Sequence, residues 1–171
     1  MARFEKMDRR AFIGAMAAIV ALASAGPLRA LALVHGQHFR AITIDDGPMS
    51  AKGGRALVEL MRRSTAIALQ KTFGDILTPG DRSAPVLRVV LDSASFATSS
   101  SGDDQLSPAT DYLEGSGHVI GPRGENFGDF PILASRSSAP MNRLDPINGN
   151  VLRAQLLAES FTSWLRREMG V

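Results

Sequence analysis

The spacing of apolar residues changes several times along this 171-residue chain, and each change marks an element. Residues 11–25, AFIGAMAAIVALASA, form an unbroken run of small and apolar side chains. From 38 to 44, HFRAITI alternates: Phe39, Ala41 and Thr43 fall on one side, Ile42 and Ile44 on the other, as in a strand. Between Ala51 and Phe73 the period lengthens, and Leu57, Leu60, Met61, Ser64, Ile67 and Ala68 recur at three and four, as on one side of a helix. Ser50 is a candidate cap, Gly53 and Gly54 allow a later start, and Gly74 is the expected stop.

Residues 86–92, VLRVVLD, are dense enough in aliphatics to predict a strand buried on much of both faces. The Ser-, Gly-, Asp- and Pro-containing stretch 95–111 predicts a loop. YLEGSGHVIG, 112–121, reads as a strand whose Gly115 and Gly117 share a side, which suits close packing or a bulge. Pro122 to Glu125 predicts a hairpin turn with Gly124 at positive φ. The returning strand takes Phe127 and residues 130–134, and Pro131 marks an edge or an interruption. The last pattern, residues 151–170, is a broad helical track through Ala154, Leu157, Phe161, Trp164 or Leu165, and Glu168. Asn150 is placed as its N-cap, Trp164 as a core anchor, Arg166 and Arg167 in its last turns and Gly170 at its end.

The order strand, helix, strand, hairpin, helix defines an α+β fold. A small mixed or antiparallel sheet is covered by two amphipathic helices, which can share one face and leave the other open. This order resembles the small periplasmic domains of the TolB N-terminal and CsgG-like kind. That resemblance implies an accessory or assembly role and transfers no residue.

The opening 32 residues stand apart. A basic head, MARFEKMDRR, precedes the apolar run, and Gly26-Pro27 and a small-residue exit at Ala30-Leu31-Ala32 follow it, the three parts of an export signal. DRRAFIG at 8–14 resembles the signal of the twin-arginine export route. Arg9, Arg10 and Phe12 match it, Ile13 replaces a leucine, and Asp8 and Gly14 depart from it. The resemblance implies recognition by the twin-arginine machinery and a periplasmic or secreted protein. The expected organisation is residues 1–32 as signal peptide and 33–171 as one small domain, with cleavage after Ala25 or Ala32 left open. No stable transmembrane span is expected after cleavage.

Charge is informative once that leader is set aside. The whole chain has 19 Lys and Arg against 17 Asp and Glu; residues 1–32 hold five and two of these, leaving 14 and 15 and a formal net of −1. No basic stripe remains for nucleic acid. The absence of cysteine excludes a disulfide, a thiolate metal cage and a cysteine nucleophile.

Three places carry candidate chemistry. Thr43-Ile44-Asp45-Asp46-Gly47-Pro48 resembles the opening motif of NodB-type polysaccharide deacetylases, which implies a base role for Asp45 and a metal-ligand role for Asp46. That family also needs a His-x-x-x-His pair, and this chain has none, so the plainer reading is a strand ending in a solvated turn. His118 could join Ser and Asp residues in a hydrolytic trio only if folding brings them together. Asp103, Asp104 and Asp111 lack the spacing of an EF-hand and read as ordinary acidic positions.

The functional expectation is therefore an exported cell-envelope accessory domain that binds an envelope protein, is non-catalytic and has no cofactor or metal. Phe127 and Phe130 are its expected contact. The alternative is a small periplasmic hydrolase, or a carrier of a small ligand, centred on the His118 hairpin.

Overall fold

The computed structural model describes residues 37–97, 110–137 and 146–171. The twin-arginine positions, both candidate cleavage sites, Asp103 and Asp104 lie outside them.

Strand β1 (Ala41–Asp45) leads into a short helix α1 (Gly47–Lys52) and a long helix α2 (Arg55–Phe73), which ends in a 3-10 turn (Gly74–Ile76). Strands β2 (Val86–Ser95), β3 (Thr110–Ile120) and β4 (Asn126–Ser137) follow, and helix α3 (Pro146–Met169) closes the chain. The sheet is mixed, in the order β1-β2-β3-β4. β1 runs parallel to β2, with the helices as crossover, whereas β2, β3 and β4 are successively antiparallel. This is the α+β architecture that the pattern predicts.

One face of the sheet carries the core. Ile42 and Ile44 pair with Leu87 and Val89, and across the sheet Leu91, Leu113, Val119, Phe130, Ile132 and Ala134 point the same way. Helix α3 packs on β3 and β4 and against α2, and α1 lies against β2. β2 alternates instead of burying both faces: Leu87, Val89 and Leu91 are buried, while Arg88 between them is exposed. The aliphatic density had hidden a single arginine that sets the period at two. Phe39 joins the core despite its odd position, because it precedes the strand proper, bridges Leu77 and meets the Phe73 ring edge-on at 6.4 Å between centroids.

Gly115 and Gly117 lie side by side beneath α3. A Cβ at Gly117 would sit 2.6 Å from Leu165 Cδ1, and one at Gly115 would strike the Val90 carbonyl oxygen and crowd the Phe161 ring. The two glycines form a notch that lets the helix approach the sheet. Gly124 turns the hairpin at φ 87°. Pro131 does not interrupt β4, which is continuous; β4 is one of the two edge strands, where one N–H fewer is tolerated.

Both helices bury most of their predicted tracks, with Ile67, Trp164 and Glu168 as the exposed exceptions. On α2 the buried side is Val58, Met61, Ser64, Thr65, Ala68, Leu69 and Phe73, and Ile67 faces out at 60% exposure. Of the predicted track, Met61, Ser64 and Ala68 are buried, Leu57 and Leu60 are partly buried against the core, and Ile67 alone departs from it. α3 starts at Pro146, so Asn150 lies inside the helix and does not cap it. Trp164 is not a core anchor: Leu165 takes the buried place, in line with Leu157, Ala158, Phe161 and Met169, and Trp164 is 49% exposed under the Arg167 guanidinium.

An internal ion pair ties the far end of the sheet together. Arg153 on α3 donates to both oxygens of Asp111 at the start of β3 and to the Ala97 carbonyl beyond β2, while Phe96 underlies its guanidinium. Asp111 also accepts from the Ala97 N–H at 3.1 Å. Asp111 is therefore a fully engaged structural carboxylate, 3% exposed.

Candidate functional site

With the helices on one side, the opposite face of the sheet is left uncovered among the described residues, and alternation decides what stands on it. Thr43 and Asp45 come from β1, Arg88 and Val90 from β2, Tyr112, Glu114, Ser116 and His118 from β3, and Asp129, Pro131, Leu133 and Ser135 from β4.

Asp45 and Asp46, adjacent in sequence, diverge in space. Asp45 pairs with Arg88 and accepts from the Gly47 N–H at 3.0 Å. The Arg88 hydrogen bond, with Gly47 second, holds its carboxyl below the usual range. Asp46 sits at the N-terminus of α1, where its carbonyl accepts from Ser50, and its carboxylate lies 3.8 Å from Arg62 Nε. Each carboxylate is turned to a different arginine, and among the described residues no cluster of three His, Asp or Glu could hold a metal. The arrangement is that of a strand end and a helix start.

His118 does gather partners. Its Nε2 is 2.9 Å from Ser116 Oγ, and its Nδ1 is 2.5 Å from Asp129 Oδ1. Asn126 also donates to both Asp129 oxygens at 2.9 Å. Asn126 first, and His118 second, lower the Asp129 pKa. The order Ser–His–Asp is that of a nucleophile, a base and its orienting carboxylate. The surroundings differ from those of a working hydrolase. Ser116 lies mid-strand, paired with Val90 on one side and Pro131 on the other, so the ladders take the nearby main chain that an oxyanion would need. An open depression near α1 is lined by Asp46, Ser50, Arg55, Ala56, Val58 and Glu59, none of them from this trio.

Sequence reasoning left Ser116 and Asp129 unnamed. Alternation alone puts Ser116 and His118 on one face, but plain counting back from the Gly124 turn sets Gly128 opposite His118; an irregularity at Val119/Ile120 shifts the register by one residue and brings Asp129 there instead. Phe161 and Leu165 pack against Gly115 and Gly117, the close approach that their shared side suits, in the space where the alternative carrier of a small ligand would need a pocket.

The expected contact aromatics are also placed differently. Phe130 faces the helices and is 8% exposed, because it pairs with Gly117 on the core side; Phe127 is half-buried against the same core. The apolar side chains that reach solvent on the open face are Tyr112, at 40%, and Leu133, at 67%. Leu133 stands opposite Glu114, and Tyr112 opposite Ser135, so the two are diagonal neighbours.

No family model matches the chain, and no curated protein matches it. Among solved structures it is similar to a putative lipoprotein from Caulobacter crescentus (14% identity, TM-score 0.46, covering 77% of this chain and 87% of that one). It is also similar to a minor lipoprotein from Acinetobacter baumannii (12%, TM-score 0.44, 77% and 93%). A third is a PelC dodecamer from Paraburkholderia phytofirmans (10%, TM-score 0.48, 80% and 93%). At TM-scores below 0.5 these similarities bear on neither the chemistry nor the partners of this chain.

Proposed function

We propose that this chain is an exported accessory domain of the cell envelope that acts by binding a protein partner, without catalysis. The observation that carries the binding reading is the one-sided sheet. Both long helices cover one face, and the other presents Tyr112 and Leu133 side by side to solvent. Export rests on the DRRAFIG leader and its apolar run, which imply the twin-arginine machinery as a first partner and the periplasm or exterior as the destination. Among the described residues, no helix is long and apolar enough to cross a membrane.

The test is expression of the full chain in a bacterium that has the twin-arginine route, followed by fractionation and chemical crosslinking of the periplasm. A discrete adduct, lost in the Tyr112→Ser/Leu133→Ser double variant, is the expected result. An adduct indifferent to that change, or retention of the intact chain in the cytosol, overturns the proposal.

The Ser116–His118–Asp129 order supports a second reading, a small acyl hydrolase. In it Ser116 Oγ attacks an ester carbonyl and its proton passes to His118 Nε2 and leaves with the alcohol; a water that gives its proton to His118 then attacks the acyl-serine, and the acid departs as Ser116 Oγ takes the proton back. A fluorophosphonate probe should then label Ser116, with loss of labelling in His118→Ala. A wild-type chain that takes up no probe eliminates this reading.

A further inference from the structure

We infer that the open face of the sheet takes a cationic amphipathic helix of its partner, with apolar side chains seated over Tyr112 and Leu133 and Lys or Arg side chains reaching Glu114 and Asp129. This rests on the binding function proposed above and names the partner's chemistry.

Layering selects the shape of the occupant. A sheet covered by helices on one side alone has half its surface unpacked, and a helix laid on the second side completes a three-layer arrangement. β3 and β4, at 11 and 12 residues, supply strands roughly 35–40 Å long against a helix about 10 Å across. A strand added at the β4 edge is a poorer occupant, because Pro131 has no N–H to give to a ladder.

Charge selects the chemistry. Asp45 is already neutralised by Arg88. Glu114 has only the Ser93 hydroxyl as partner among the described residues, at 2.9 Å. Asp129 is held by neutral Asn126 and by His118, and those hydrogen bonds favour its ionised form. Among the described residues, two carboxylates thus face solvent without a neutralising arginine or lysine, one beside Leu133 and the other four residues away on the same strand, about 13 Å. That alternation of apolar and anionic positions matches a helix with an apolar stripe flanked by cations.

The experiment uses the full chain exported in cells, with a photo-crosslinking amino acid at position 133 and, separately, at position 164 on the helical side. Adducts are digested and the attached segment sequenced. An adduct from position 133 on an amphipathic segment with excess Lys and Arg is expected, at a yield reduced about threefold or more by Glu114→Lys and by raised salt. An adduct from 133 on an acidic or uncharged segment, or a yield indifferent to Glu114→Lys, overturns the inference while leaving partner binding intact. Adducts from 164 with none from 133 overturn both this inference and the placement of the binding face. Circular dichroism of Glu114→Lys checks that the variant is folded; if it is not, Glu114→Gln replaces it, with a smaller loss expected.

Discussion

Leu165 of the last helix rests on Gly117 of the third strand so closely that a single added methyl would lie 2.6 Å from its Cδ1. Its neighbour Gly115 is tighter, because there the new Cβ would meet the main-chain oxygen of Val90 as well as the Phe161 ring. A leucine side chain can rotate away, whereas a carbonyl within a ladder cannot move without disturbing β2. Gly117→Ala should therefore destabilise by about 1–2 kcal/mol and Gly115→Ala by about 3 kcal/mol or more. Urea unfolding followed by circular dichroism measures both. Equal losses would show that the ring and the leucine, not the backbone, set the limit.

Asp111 and Arg153 give the second prediction. The carboxylate is buried and receives the guanidinium through two atoms, and that guanidinium also satisfies the Ala97 carbonyl. Removing the arginine strands a buried charge, which typically costs about 3–5 kcal/mol. Arg153→Met should lose that much, and Asp111→Asn less, because the amide keeps an acceptor for the Ala97 N–H. The double variant Arg153→Met/Asp111→Leu should be more stable than Arg153→Met alone. Thermal unfolding of the three variants decides it; an additive double variant would show that the two residues do not act as a pair.

How much of this was legible in the sequence depends on the range of the signal. The order of elements follows from local periodicity, and the glycine pair on β3 follows from alternation. What periodicity could not assign was rotation about a helix axis. Ile67 and Trp164 satisfy a spacing of three or four as well as Thr65 and Leu165 do, and only packing of α2 against α3 selects between them. Nor could it place long-range partners. Arg88 with Asp45, and Arg153 with Asp111, are 43 and 42 residues apart in the chain. The Ser116–His118 pair was within reach by alternation, but Asp129 was not, because the one-residue register shift between Val119 and Ile120 moves its side chain onto their face and no local pattern announces that shift.

Acid stability is the third prediction. Arg166 donates to both oxygens of Asp75 at 2.8 Å and to the Thr72 carbonyl and the chain's last residue, tying the end of α2 to the end of α3. That bond lowers the Asp75 pKa, as Arg88 lowers that of Asp45 and Asn126 that of Asp129. A carboxylate with a folded pKa below its unfolded value stabilises the fold above the unfolded value, and this contribution fades as pH falls through the folded one. Stability should therefore decline below about pH 4 and be flat across neutrality from these groups. Asp75→Asn should lessen the acid decline, and raised salt should do likewise, because the group is exposed. Unfolding midpoints measured from pH 2 to pH 7 test this; an unchanged acid slope in Asp75→Asn would remove Asp75 from the account.

Trp164 supplies the last prediction, which separates the two possible phases of the final helix. It is the chain's single tryptophan, so its fluorescence reports one position. Half of its surface is in solvent, and its ring lies 4.8 Å from the Arg167 guanidinium, outside the core that Leu165 and Phe161 fill. Emission should be red-shifted toward that of exposed indole and quenched readily by acrylamide. Iodide should quench it more strongly than caesium does, because the adjacent guanidinium attracts the anion. Trp164→Phe should change stability by no more than about 0.5 kcal/mol, whereas Leu165→Ala should cost about 2–5 kcal/mol. Were the helix turned so that tryptophan anchored the core, the ranking of those two losses would reverse and the emission would be blue-shifted and shielded from quenchers.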